Sequence, residues 1–147
     1  MHTFDELRRT RYALLTTFRR DGARVDTPIW FALDGSQVLF RTKLGPKTRR
    51  LAARPDVELT ACDHRGRTNA TAKAVTGRAA ILAGAEAEAA NALLHRRYGW
   101  QWNVVPLMQI PGVTNVNRDL RLREKLRRAR SRVLWPDFAI VRVEPNA

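Results

Sequence analysis

Four polar residues, Lys47, Thr48, Arg49 and Arg50, follow directly on Gly45-Pro46. A strand-like run, Gln37 to Lys43, delivers the chain to that step, and a short basic helix, Lys47 to Arg54, is expected to follow and to stop at Pro55. Pro46 suits the first helical position, where its missing N–H leaves nothing unpaired. The remaining first-turn N–H groups then point outward among cationic side chains, which is chemistry suited to holding a phosphate. The same arginines are equally compatible with a solvated helix face. A second constellation precedes it. In Thr27-Pro28-Ile29-Trp30-Phe31 a proline interrupts a strand pattern and a flat aromatic follows. Proline cannot donate to a ladder, so it marks an edge or a bulge, and an open backbone edge can be presented to a planar ring. The plainer reading puts Trp30 and Phe31 in a barrel core. Taken together, the two stretches point to a ligand with both a flat heterocycle and a phosphate.

Other chemistries find little support. His64 and His95 begin neither an HxH nor an HExxH pattern, so no metal site is expected. Cys62 is the single cysteine, which excludes an internal disulfide and any multi-cysteine metal site; it reads as a buried or rim thiol. Neither GxGxxG nor GxxxxGK[ST] occurs, which argues against a Rossmann dinucleotide site and a Walker loop. No catalytic residue is assigned.

The elements that must position these residues are mostly strands. Tyr12–Phe18, Arg24–Leu33 and Gln37–Lys43 are joined by turns at Asp21-Gly22 and Asp34-Gly35, a sequence pattern for an antiparallel meander. Val57–Cys62, residues 70–82 with Gly77 as a bulge or close approach, and Phe138–Val143 complete six strands. Residues 3–11 read as a short helix with capping-box spacing from Thr3 to Glu6. Gly84–Tyr98 is the best helix, with Ala90, Leu93, Leu94 and Arg97 on its packed face. Tight turns cannot join parallel neighbours, so the expected fold is mainly β with helices, a small barrel in one domain spanning 1–147. Residues 99–117, with two tryptophans and two prolines, form an apolar excursion that would cover something, a partner subunit included.

With 147 residues and 44% hydrophobic content the chain can build a real core, and no apolar run is long enough to span a membrane. The start, MHTFDELRR, lacks the apolar core of a signal peptide, so a cytoplasmic location is expected. The formal net charge of +13 favours anionic partners: nucleic acid, acidic lipid, or a phosphorylated or polycarboxylate small molecule. A biased arginine-rich composition is an alternative source of that charge. Residues 118–132 alone carry seven arginines and one lysine against one aspartate and one glutamate, a local net of +6. This stretch keeps open a small nucleic-acid-binding protein as a different class of function, although its arginines are not interleaved with aromatics.

The segments YALLTTFRRDGARVDTPIWFALDG (12–35), VLFRTKLGPKTRRLAARPDVELTACDHRGR (38–67), AVTGRAAIL (74–82) and RRYGWQW (96–102) together resemble the split β-barrel flavin and deazaflavin proteins of the pyridoxamine-5'-phosphate oxidase superfamily. The likeness is greatest to the actinobacterial class that uses coenzyme F420. It implies a homodimer with two cofactor sites at the subunit interface. It also implies cofactor-phosphate contacts from Arg41, Thr42, Lys47, Thr48 and Arg49, and a strand against the ring from Thr27, Pro28, Ile29 and Trp30. Residues of the 99–117 excursion or near Trp135 of the partner would complete the pocket. The implied reaction is hydride transfer between the deazaflavin and an electron-poor organic acceptor, with the cofactor carrying the chemistry. FMN is the alternative cofactor within the same superfamily, and nothing in the sequence identifies the substrate.

Overall fold

The computed structural model describes residues 4–69, 71–99, 120–130 and 134–146. A 3-10 turn (Asp5–Arg9) leads into strands β1 (Tyr12–Phe18), β2 (Arg24–Asp34) and β3 (Gln37–Lys43). Helix α1 (Pro46–Ala53), strands β4 (Asp56–Cys62) and β5 (Val75–Ile81), helices α2 (Gly84–Tyr98) and α3 (Leu122–Arg130), and strand β6 (Phe138–Pro145) follow. Every strand pair is antiparallel, and the sheet closes in the order β1-β2-β3-β6-β5-β4 with β4 back on β1. The fold is mainly β with helices, a closed six-stranded barrel, as expected. Gly22 and Gly35 sit at φ 87° and 61°, so the two Asp-Gly turns use the left-handed backbone that glycine allows.

The barrel splits because β2 changes partners. It lies along β1 from Arg24 to Trp30, and along β3 only from Phe31 to Asp34. Strand β6 runs along the other edge of β3 from Val38 to Lys43, so Arg41–Lys43 pair with β6 alone. Beyond the Phe31–Phe40 pair the two strands therefore part, leaving one edge of β2 and one edge of β3 without a neighbouring strand among the described residues.

Alternation along the strands feeds two cores. Leu15, Ile29, Phe31, Phe40, Val57, Leu59, Val141 and Val143 fill the barrel, with Leu51 of α1 closing one end. Ala32, Leu39 and Ile140 point the other way and pack under Ala87, Ala90, Leu94 and Tyr98 of α2. Gly77 is a close approach: a β-carbon there would stand 2.7 Å from the Glu144 carbonyl oxygen and 2.8 Å from Val143.

Several expected boundaries move. Helix α1 begins at Pro46 and ends at Ala53, because Arg54 precedes Pro55 and takes extended angles. The fifth strand is Val75–Ile81 rather than 70–82, since the Asn69 side chain holds Thr71 in a turn and Ala72 N–H donates to the Asn69 carbonyl at 3.0 Å. The buried face of α2 is Ala87, Ala90, Asn91, Leu94 and Tyr98, and Arg97 lies exposed at its margin. The N-terminal turn is 3-10 with no side-chain cap, and Phe4 and Leu7 are buried as their spacing suggests. The 99–117 excursion lies outside the described residues apart from Gly99, as do both ends of the basic 118–132 stretch.

Candidate functional site

The parting of β2 and β3 is held open by one side chain. Residue Arg11 would face Phe31 if β1 continued, since Tyr12 faces Trp30. Instead β1 ends, and the Tyr98 hydroxyl fills that place. It accepts from the Phe31 N–H at 3.0 Å and lies within hydrogen-bond reach of both the Phe31 and Arg11 carbonyls, to one of which it donates. Burial pushes the Tyr98 hydroxyl above the usual phenol range, so it keeps its proton. Because Phe31 turns both backbone groups toward the β1 side, Pro28 and Trp30, three and one residues away and so of opposite phase, turn theirs toward the open edge. Proline at position 28 thus removes no ladder bond, which is the physical reason that a central strand tolerates it.

The side chains of this stretch divide between the two faces. Ile29 is buried inside the barrel, and Thr27 and Pro28 are half-buried. Trp30 lies on the outer face, stacked on Tyr98 with ring centroids 4.7 Å apart and planes 9° apart, with Tyr12 at 6.2 Å. Of the two aromatics that the plainer reading puts together in the core, Phe31 is in the barrel and Trp30 is not.

The cationic residues do not converge on a single point. Lys47 is half-buried at the start of α1 with no carboxylate partner among the described residues; burial, and then the charge of Arg50, lower it to about 8. Thr48 is buried, and its hydroxyl accepts from Gly45 N–H at 3.0 Å and donates to Gly45 C=O at 2.9 Å, so it closes the turn into the helix. Thr42 is also buried. Arg41 lies on the outer face, its guanidinium 4.4 Å from the centre of the Trp135 ring and 5.5 Å from that of Phe138. Burial, with Arg128 adding like charge, brings Arg41 down to about 9, and it remains charged at neutral pH. Arg49 points to another region altogether. It lines a cavity of about 720 Å³ with Arg19, Arg20, Arg50 and Arg54. Arg20, in the β1–β2 turn, is therefore a neighbour of α1, where the sequence order places it far away.

Sequence reasoning passed over four residues: Tyr98, Arg128, Arg19 and Arg20. Tyr98 carried a signal, a hydroxyl-bearing aromatic closing the apolar face of α2. Arg128 is buried, paired with Glu124 one helical turn away at 3.1 Å, and it also meets Asp137 at 2.8 Å and sits over Trp135 at 4.9 Å; only the i,i+4 pair with Glu124 was legible from spacing. Burial and Asp63 raise the Cys62 thiol to about 11, which leaves it a poor nucleophile. No group of three metal-ligating side chains occurs among the described residues. No helix among them is long and apolar enough to cross a membrane.

A closed antiparallel barrel that opens at one strand pair beside a cationic helix start defines a split-barrel protein. The family model described as pyridoxamine 5'-phosphate oxidase matches residues 2–134, and the chain belongs to that family. Among solved structures, the chain is similar to a putative pyridoxamine 5'-phosphate oxidase from Listeria innocua (15% identity, TM-score 0.56, 96% of this chain and 88% of that one). It is also similar to the heme storage protein HutZ from Vibrio cholerae (12% identity, TM-score 0.62, 100% and 92%). A third likeness is to an F420 reductase (22% identity, TM-score 0.53, 99% and 94%). No curated protein matches the chain.

Proposed function

We propose that this protein is an F420-dependent oxidoreductase that transfers a hydride between the deazaflavin and an electron-poor organic acceptor. The observation that carries the reading is Lys47, a half-buried cation with no carboxylate partner among the described residues, placed where the chain leaves the split. An unpaired cation held out of water is costly, and an anionic group at that turn relieves the cost. The residues suit a flat, phosphorylated cofactor. Thr27, Pro28, Ile29 and Trp30 supply the strand edge: the backbone groups of Pro28 and Trp30 face the opening, those of Thr27 and Ile29 tie the strand to β1, and Trp30 stacks on Tyr98. Lys47 and Arg41 supply charge for the phosphate end, while Arg49 lines the cavity with Arg19 and Arg20 and adds only to the surrounding positive field. Thr42 and Thr48 are buried, and Thr48 fixes the Gly45 turn that precedes Lys47.

A bound deazaflavin supplies a carbon that gives or accepts a hydride; the protein binds it, orients it and limits water at one face. Lys47 and the arginines then act through charge compensation, not by moving a proton. Deazaflavin is favoured over FMN by the net charge of +13, which suits a long acidic tail as well as a phosphate. Among the solved relatives is an F420 reductase. The second reading is an FMN-dependent oxidoreductase or flavin-binding protein of the same fold. A relative from Nostoc punctiforme at 15% identity is described as FMN binding, and ring and phosphate are common to both cofactors.

Titrations with F420, FMN, NADPH and NADH, followed by fluorescence in identical salt, separate the readings. The tightest response is expected for F420; tight FMN binding with no response to F420 selects the second reading. Turnover of reduced F420 against enones, quinones and tetrapyrroles then defines the acceptor class.

A further inference from the structure

We infer that the groove between the β1–β2 turn and the outer face of α1 is a binding site for a condensed phosphate, an anion with several phosphates joined in a row. Five guanidinium groups line it: Arg19 and Arg20 from the turn, and Arg49, Arg50 and Arg54 from α1 and its end. Phe18, Pro46 and Ala53 complete the wall of this cavity of about 720 Å³, and no carboxylate contributes. The inference does not rest on the cofactor reading.

Several arginines elsewhere are answered by acids. Arg24 meets Glu58 at 2.6 Å, Arg67 meets Asp63 at 2.8 Å, Arg128 meets Asp137 at 2.8 Å and Arg142 meets Glu86 at 3.2 Å. None of the five groove arginines has a carboxylate partner among the described residues. The nearest acid in sequence, Asp21, is occupied by accepting from the Ala23 N–H at 2.9 Å. Five like charges around one opening repel, and a ligand that brings several negative charges at short spacing relieves the repulsion. Two of the five are already held in place. Arg50 donates from Nε to the Thr17 hydroxyl at 3.3 Å, and the Arg54 guanidinium lies 4.9 Å from the centre of the Phe18 ring.

The lining also restricts the class of anion. Its polar side chains are all arginines, so no amide or hydroxyl of the wall reads a base or a sugar. The one ring, Phe18, already has Arg54 at 4.9 Å and Arg24 at 5.8 Å from its centre, guanidinium groups that compete with a nucleobase for stacking on it. A carboxylate chain spaces its charges widely along a flexible backbone. Contiguous phosphates match a tight cluster of forked donors better.

Calorimetric titration of the cofactor-free protein with tripolyphosphate, at about 150 mM salt to screen the diffuse field, tests this. Saturable binding of one tripolyphosphate per chain is expected. The variant Arg20→Gln/Arg54→Gln should weaken it about tenfold or more, in line with the loss of charge-assisted hydrogen bonds. Arg96→Gln removes a charge from a separate cavity under α2 and should leave it within about twofold. Melting curves check that both variants fold, and Arg20→Gln alone, in an exposed turn, gives the answer if the double variant does not. Equal losses from the groove and Arg96 variants would overturn the site in favour of the general field. A polyglutamate peptide or a single-stranded oligonucleotide of matched charge binding as tightly as tripolyphosphate would overturn the assignment to condensed phosphate.

Discussion

At the scale of single residues, Lys47 is the side chain whose role is most open to measurement. Lys47→Ala should weaken cofactor binding by about 1–3 kcal/mol, the range of a lost charge-assisted hydrogen bond. Arg20 is no longer a suitable distant control, since it shares a cavity with Arg49 and Arg50; Arg96, which lines a different cavity with Glu86 and Asp34, takes that part. The pH dependence has two parts with opposite signs. Affinity for an anion should fall as pH rises above about 8, when Lys47 loses its proton, and Lys47→Arg should flatten that profile. Stability of the cofactor-free protein moves the other way. The folded value, about 8, lies below the ordinary lysine value of 10.5, so between them the unfolded chain binds more protons. Lys47 therefore disfavours the fold at neutral pH, and this cost disappears as pH climbs through that window. Melting temperatures of wild type and Lys47→Met should converge toward pH 10.5 from a gap in favour of the variant at pH 7. Thr48→Val removes the hydroxyl that satisfies both Gly45 backbone groups and should cost about 1 kcal/mol in urea unfolding, as lost helix caps do.

At the scale of elements, the split depends on how β2 exchanges one neighbour for another. Tyr98 reaches from the last turn of α2 to occupy the ladder position that β1 vacates at Arg11. Tyr98→Phe keeps the ring and its stack on Trp30, but strands the Phe31 N–H, which is buried. The expected loss is about 1–3 kcal/mol by urea unfolding. Because the opening begins at Phe31, cofactor affinity should fall as well, more than the stability loss alone accounts for when binding is measured far below the melting temperature. A variant that loses stability with no change in affinity would show that Tyr98 holds the barrel and not the site.

At the scale of the whole molecule, the open edge of β2 raises the question of assembly. An unpaired strand edge is a liability in an isolated chain. Family membership and the apolar 99–117 stretch together motivate a homodimer with each site built from two chains. Sedimentation equilibrium at micromolar concentration should give twice the 16.8 kDa chain mass. A single-chain mass would remove the shared-site arrangement. Nucleic-acid binding that vanishes with added salt is the counterion effect expected of a chain at +13, and does not bear on the cofactor.

The sequence by itself determined much of the barrel. Two Asp-Gly turns can only join antiparallel strands closely, so β1–β2–β3 was legible from local chemistry. The Gly45-Pro46 step and Pro55 bounded α1 for equally local reasons, proline geometry at each end. Pro28 announced an open edge, because a missing N–H is tolerated where no strand bonds to it. What the sequence left undecided is what depends on meetings across the chain. The alternation of β2 does not say where its partner changes, and that point is set by Tyr98, 67 residues away from Phe31. The spacing of Arg41 to Arg49 suggested one cluster. Strand pleating sends Arg41 outward to Trp135, while helix rotation sends Arg49 to the turn at Arg19 and Arg20. Charge fixes what kind of partner the protein attracts, and only closure of the barrel fixes which arginines meet it together.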